Sequence, residues 1–386
     1  MKKKEKISKE TLIYDTLRGM CLRLGVNERL PTVSQLCQSL ETSCSTLDRV
    51  LRRLKAEQMI VCRQGSGIYV SPLMTRRTIG MVFPCMIQSQ RHSPFWSLVL
   101  QAGQDLAAER GHELRVYFDS PSDRQMKDEA ASRYHLVRDL EEGRVDGFLT
   151  ICNMHQRQWL ARWKQPIVVY NDRGEGFPSV CLDLRELIQL GIKALINAGC
   201  RRLGFITLQQ RPIPGTKEWE PMATYFCEEM LRNGLDVNEE WVWYRPRFAP
   251  GEESLSAEEF GYHLALKLMG ERKRSLPFDG LVISDDMVAR GFLTGVVRLG
   301  REAEWDRRIA TISNEGSSFL KPYEDMIHRV EISPFQIVGS MMTLLETAMN
   351  GQPIREQTVL AHGKAIAPAS PAEVKEEHQR IARSLG

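Results

Sequence analysis

The sequence predicts an α/β protein in two parts: a small head of three helices closed by a glycine hairpin, then a two-lobed body with two parallel sheets. Three observations carry that prediction. Apolar residues in the first 76 positions recur at helical spacing and run into "CRQGSGIYV". From about residue 77, strand-like apolar runs alternate with amphipathic stretches. Charge also divides between the parts, with 14 Lys+Arg against 7 Asp+Glu in residues 1–76 and 38 against 42 in the remainder. A basic head on a mildly acidic body points to a polyanionic partner for the head alone.

Composition narrows the class. At 386 residues the chain is long for a single domain. Hydrophobic residues at 42% and charged residues at 26% are values of a soluble globular protein. No run of about eighteen apolar residues is present to span a membrane. The basic start "MKKKEK" leads into Ser8-Lys9-Glu10 rather than the apolar region of a signal peptide, so the cytoplasm is the expected location. Nine cysteines without a C-x-x-C pair fit neither a disulfide framework nor a zinc knuckle, and reduced thiols are expected. Asp285-Asp286 is a carboxylate pair, but adjacent residues at a helix start point apart. No nucleophile motif or metal-ligand cluster accompanies them, so neither an enzyme, a cofactor nor a metal is expected.

In the head, Leu12, Ile13, Leu17, Met20, Cys21 and Leu24 form the apolar face of a first helix that Gly25 ends. Thr32 and Gln35 in "LPTVSQLCQSL" have capping-box spacing and open a short second helix through Leu40. After a turn at Glu41-Thr42, Ser43 is a good N-cap for a third helix with Leu47, Val50, Leu51 and Leu54 inward. Gly65 and Gly67 then allow a tight hairpin, whose tip carries Arg63 and Gln64 and no apolar side chain. Short helix, turn, longer helix and hairpin is the plan of a winged helix-turn-helix domain, in which the third helix enters the major groove.

These pieces resemble the GntR family of bacterial regulators. Leu30-Pro31-Thr32, Ser43-Cys44-Ser45-Thr46-Leu47 and Gly65-Ser66-Gly67-Ile68-Tyr69-Val70 stand in the family's order. Where much of the family places arginines, this chain has Ser34, Cys44 and Asp48. The resemblance implies DNA contacts at Thr32, Ser43, Ser45, Thr46 and Arg49, with Arg52 and Arg53 near phosphates. Arg63, Gln64 and Gly65 would act from the wing. Arginine grips guanine bidentately, while hydroxyls mostly take phosphate oxygens. The plainer reading of Arg52-Arg53-Leu54-Lys55 is a solvated helix face, and of Ser43 and Thr46 a cap.

In the body, strands are expected at 78–83, 113–118, 146–151, 166–171, 202–207, 241–245, 279–284 and 308–313. Between them lie amphipathic Phe95–Arg110, Leu184–Ala198, Ala257–Met269 and Met287–Leu299. Near-continuous apolar strands joined by helices mean parallel sheets covered on both faces. The expected division is a head 1–70, a linker 71–76 and a body 77–370. Lobe 1 would take about 77–176 and 329–352, and lobe 2 about 177–328 and 353–370. The tail 371–386 has Val374, His378, Ile381 and Leu385 at helical spacing.

Ligands in open α/β sheets bind beyond the carboxyl ends of strands. Those ends carry Ser93 and Phe95, Asn153, Asp172, Arg211 with Trp219 and Glu220, Asp285, and Asn314. Amides, carboxylates, a guanidinium and aromatic faces suit a polyhydroxylated ligand. The body is similar to the LacI/GalR regulator core, itself built like periplasmic sugar-binding proteins. The likeness rests on "SPFWSLVLQAGQDLAAERGHEL", "VCLDLRELIQLGIKALINAGCRRLGFI" and "PFDGLVISDDMVARGFLTGVVRLG". It implies ligand contacts at Asp285, where the family usually has Asn, at Asn314, where it usually has Asp, and at Asp172 or its neighbour Asn171. It departs at Met222, where the family often has a ligand-clamping arginine, leaving Arg211, or Trp219 and Glu220, to substitute. The plainer readings are N-caps for Asp183 and Asp286, and lobe-interface packing for Phe95.

Together the two resemblances imply a hybrid of the arabinose-repressor kind. It would be a cytoplasmic homodimer that binds a palindromic operator in double-stranded DNA and represses carbohydrate-utilisation genes, under control of a sugar or related small molecule between the lobes. The competing reading is a constitutive DNA-binding regulator with a degenerate pocket or a non-sugar effector.

Overall fold

The computed structural model describes residues 9–56, 59–71, 77–84, 93–119, 134–151, 163–171, 176–215, 220–247, 255–270, 276–354 and 357–385. The chain divides into two compact units, residues 1–79 with 107–114, and residues 80–106 with 115–386.

The head follows its apolar pattern. Helices α1 (Lys9–Leu24), α2 (Val33–Ser39) and α3 (Cys44–Ala56) precede strands β1 (Ile60–Arg63) and β2 (Gly67–Val70). Ile13, Leu17 and Cys21 bury against Leu36 and the α3 row Leu47, Val50, Leu51 and Leu54. Leu12 and Leu24, expected inward, are 61% and 38% exposed. Leu12 lies on the far side of the Ile13–Leu17–Cys21 row, and Leu24 ends the helix beside Gly25. The Thr32 hydroxyl caps α2 by accepting from Gln35 N, and the Gln35 side chain reciprocates to Thr32 N. Main-chain bonds from Leu30 N to Ile68 O and from Val70 N to Glu28 O lay residues 28–30 beside β2. Ser71, expected in the linker, is buried and donates its N–H to Met59 O, so the head's framework includes it. Linker residues 72–76 lie outside the described residues.

The body holds two six-stranded sheets. Lobe 1 has the order β13-β7-β6-β5-β3-β4, where β3 is Thr78–Pro84, β4 Glu113–Asp119, β5 Gly147–Thr150, β6 Ile167–Tyr170, β7 Ser179–Leu182 and β13 Thr358–Ala361. Lobe 2 has the order β14-β12-β11-β10-β8-β9, where β8 is Leu203–Gln210, β9 Val242–Arg245, β10 Gly280–Ile283, β11 Ile309–Asn314, β12 Ile327–Ile332 and β14 Lys364–Ile366. The pairs β8/β10, β10/β11 and β11/β12 are parallel, and β14 closes the edge antiparallel to β12.

All eight expected strands are present. The lobe boundaries differ from expectation, because β7 and β13 belong to lobe 1 and β12 to lobe 2. The chain therefore crosses between lobes near residues 183, 333 and 362. Short strands at those crossings carry little periodicity, and only pairing reveals which sheet they join.

In lobe 2, strand alternation divides the core. Leu281 and Ile283 face the helices Ala257–Met269 and Asp286–Arg298, while Val282 faces Leu184–Asn197 and Pro221–Arg232. The first two helices meet at glycines: a Cβ at Gly261 would lie 2.0 Å from Val288 O, and one at Gly291 1.9 Å from Glu258 O. The tail forms the helix Pro371–Leu385.

Candidate functional site

The head presents one polar face. At 100° per residue, Ser45, Arg49 and Arg52 lie opposite the buried row of α3, and all three are exposed. Ser43 anchors the start of that helix: its hydroxyl accepts from Thr46 N at 3.3 Å and lies 3.0 Å from the hydroxyls of Ser45 and Thr46. Capping holds three hydroxyls together at the N-terminal end, where a major-groove helix meets bases. Arg49 pairs with Glu10 at 3.5 Å, and Arg52 with Asp48 at 2.5 Å. Pairs this exposed contribute at most about 1 kcal/mol, little for an arriving phosphate to overcome. Arg53 points elsewhere, its guanidinium 3.8 Å over the Tyr14 ring of α1. It stands apart from the outward arginines with which the sequence pattern groups it.

On the wing, Arg63 stacks 4.5 Å from the Tyr69 ring and reaches Asn27 Oδ1 at 3.3 Å. Gln64 and Gly65 stand at the exposed tip, with Gly65 at φ 71° in the turn that Ser66 N closes onto Arg63 O. Thr32 is engaged in the α2 cap.

In lobe 2, polar residues gather at the carboxyl ends of the strands. A pocket of about 360 Å³ beyond β8 and β9 is lined by Leu208, Gln209, Gln210, Pro212, Glu220, Arg245 and Arg247. Glu220 is buried and caps the helix Pro221–Arg232, accepting from Met222 N and Ala223 N, with Thr207 Oγ1 donating at 3.3 Å. Burial raises its carboxyl above the ordinary range, against those bonds. Arg211 lies 5.0 Å from the Tyr244 ring, and its carbonyl accepts from Arg247 Nη2. Arg245 donates to Leu255 O. Neither Arg245 nor Arg247 is among the residues expected from sequence. The strand-end rule that points to Glu220, Asp285 and Asn314 would have found them, because Arg245-Pro246-Arg247 is the carboxyl end of β9.

Of the two adjacent carboxylates, Asp285 and not Asp286 caps the helix. Asp285 is the N-cap of the helix Asp286–Arg298, accepting from Met287 N at 2.9 Å and Val288 N at 3.1 Å. Burial raises its carboxyl; the capping bonds and the Arg245 charge oppose this. Asp286, expected to be the cap, is buried and accepts from Asn314 Nδ2 at 2.8 Å. Burial and the neighbouring Asp285 charge push its carboxyl up to about 7. Asn314 Oδ1 and Ser313 Oγ are buried with no partner among the described residues at the end of β11, so the bottom of this region keeps unused acceptor capacity.

Lobe 1 contributes the start of α4 (Pro94–Glu109). Ser93 Oγ accepts from Phe95 N at 3.3 Å. Phe95 is buried, 5.4 Å from the Tyr170 ring and 5.2 Å from Trp96, so packing occupies most of its surface. A methyl at Gly316, two residues beyond Asn314, would lie 3.9 Å from Leu98 of α4, so the two strand-end regions face each other there. Asn153, Asp172 and Trp219 lie outside the described residues.

Asp183 caps the helix Leu184–Asn197, as its plainer reading has it. With Glu186 and His362 it forms a group whose ligand-type atoms lie within 4.8 Å of one another at two of the lobe crossings. Capping and the Glu186 bonds to His362 Nδ1 and Gly363 N account for these side chains. Among the described residues no helix is long and apolar enough to cross a membrane.

Comparison with known proteins falls along the same division. Residues 11–70 match the family described as bacterial regulatory proteins, gntR family. No curated protein matches the chain. Among solved structures, a LacI-family regulatory protein from Chloroflexus aggregans aligns over 76% of this chain and 98% of its own, at 18% identity and a TM-score of 0.57. The transcription regulator CcpA of Lactococcus lactis aligns over 76% and 98%, at 17% identity and 0.56. A LacI-family CCPA from Weissella paramesenteroides, solved with bound sucrose, aligns over 76% and 100%, at 16% identity and 0.55. At these identities the body shares the fold of LacI-family regulators.

Proposed function

We propose that the protein is a ligand-responsive transcriptional regulator that binds operator DNA through the head and a small polar effector between the lobes. The observation that carries the DNA half is the exposed face of Ser45, Arg49 and Arg52 on a capped α3, set beside a hairpin wing in a segment that matches the gntR family. The effector half rests on the lobe-2 pocket and on the buried Asp286–Asn314 pair with its unused acceptors. A sugar or sugar derivative suits this mixture of amide, carboxylate and guanidinium groups. The sucrose-bound LacI-family structure supports that class by analogy alone.

The protein acts as a homodimer on a palindromic operator, with half-sites about 10 bp or a multiple of that apart. It represses carbohydrate-utilisation genes. The effector changes operator affinity by binding one lobe arrangement better than the other, since only differential affinity moves such an equilibrium.

The test is binding of the full-length protein to DNA from its own upstream region, with and without pooled mono- and disaccharides, at two salt concentrations. Sequence-preferring, salt-sensitive binding that one pool changes is the expected result. Specific binding indifferent to every pool sinks the sugar assignment and leaves the DNA half standing.

A further inference from the structure

Four of the nine cysteines lie in the head, and two of them meet. Cys37, in the last turn of α2, and Cys44, the first residue of α3, have their sulfurs 3.2 Å apart across the helix-turn-helix turn. Thr42 N donates to Cys37 O at 3.0 Å, and the Ser43 cap fixes the start of α3, so both ends of the turn hold this approach. Both thiols are reachable: Cys37 is half-buried and Cys44 exposed, whereas Cys21 in the same domain is buried. A disulfide needs about 2.05 Å between sulfurs, so closing this gap takes about 1.2 Å of movement. Intracellular disulfides that form at all are mostly transient and regulatory.

We propose that Cys37 and Cys44 are an oxidisable dithiol, and that their disulfide switches off operator binding by displacing the first turn of α3. The oxidant is a peroxide. The Cys44 thiolate attacks one peroxide oxygen, and the O–O bond breaks. The departing hydroxide takes up the proton released from Cys44, leaving water and a sulfenic acid. The Cys37 sulfur then attacks the Cys44 sulfur, the S–O bond breaks, and the second water leaves with the Cys37 proton. Two thiols and one hydrogen peroxide become one disulfide and two waters, with sulfur oxidised and peroxide oxygen reduced. The thiol–thiol hydrogen bond raises Cys37 above its ordinary value, in keeping with its place as the second, proton-holding sulfur.

The consequence for DNA follows from position. Cys44 stands between Ser43 and Ser45, and the Ser43 hydroxyl meets those of Ser45 and Thr46 at the N-terminal end of α3. Interfaces of this kind are held to about 0.5 Å, so an ångström-scale pull on the first turn breaks their register.

The experiment treats full-length protein with hydrogen peroxide, maps thiols by alkylation and peptide mass, and measures affinity for the upstream DNA before and after. A Cys37–Cys44 linked peptide, about tenfold or greater loss of affinity and its recovery with dithiothreitol are expected, with Cys37→Ser binding normally and no longer responding. Cys37 and Cys44 both still alkylatable after peroxide would overturn the proposal. So would a bridge that changes affinity less than about twofold, or an undiminished response in Cys37→Ser. The affinity arm rests on the DNA-binding reading. Protein that binds no DNA when reduced defeats that reading and the switch with it, whereas the thiol map decides bridge formation by itself.

Discussion

Arg49, Arg52 and Arg53 are close in sequence but not in circumstance. The first two face outward in exposed pairs, and Arg53 lies over Tyr14. Arg49→Ala and Arg52→Ala are each expected to weaken binding to specific and random DNA alike, and to lower the slope of log affinity against log salt by about 0.9. Arg53→Ala should leave that slope unchanged and cost about 0.5–1 kcal/mol of head stability through the lost ring contact. Salt titrations beside thermal melts separate the two behaviours, and a slope change in Arg53→Ala would place it on the DNA. Asp286 carries a different prediction. Its folded-state value of about 7 lies above the ordinary 3.8, so the native state retains a proton that the unfolded chain releases. The stability tied to that proton is complete below about pH 4 and is lost as pH rises through about 7. Asp286→Asn, which retains an acceptor oxygen for Asn314 Nδ2, is expected to melt higher than the parent at pH 8 and nearly alike at pH 4. A melting curve in which the variant falls equally with pH would rule out Asp286 as the titrating group.

At the scale of elements, the helices Ala257–Met269 and Asp286–Arg298 approach so closely that backbone fills the space a side chain would need. Gly261→Ala or Gly291→Ala must push them apart, and overpacking of this kind costs about 1–3 kcal/mol. Denaturant melts with an unchanged slope and a lower midpoint would register that loss; a neutral Gly261→Ala would mean the helices slide freely. Periodicity made both helices readable in advance, with ends correct to within a residue, because their apolar faces are wide and their caps conventional. It could not show that glycines set their spacing, since a glycine in a helical pattern gives no sign of what lies opposite.

For the whole molecule, the three crossings near residues 183, 333 and 362 make lobe motion a hinge problem. The clasp of Glu186 on His362 and Gly363 N sits at two of them. A ligand that closes the lobes should both raise the melting temperature, by about 2.7 kcal/mol of stabilisation at a hundredfold excess over Kd, and reduce the radius of gyration in X-ray scattering. A ligand that stabilises without contraction would place its site within one lobe.

The features legible in the sequence are local and repetitive. The three head helices, the capping box at Thr32 and Gln35, the glycine hairpin and eight body strands arise from apolar spacing, caps and turn chemistry, which act over a few residues. The winged head was readable for that reason, as were the strand ends where Asp285 and Asn314 stand. The features that were not readable depend on partners distant in the chain. The sheet that each crossing strand joins is set by pairing, as with Ser179 of β7 beside Thr358 of β13. Which of Asp285 and Asp286 caps and which meets Asn314 is set by helix direction against β11. Arg245 and Arg247 belong to a pocket because β9 lies beside β8. Cys37 meets Cys44 because the turn between their helices folds back on itself. Short-range preference selects elements, whereas packing and hydrogen-bond satisfaction across the fold select which side chains share a site.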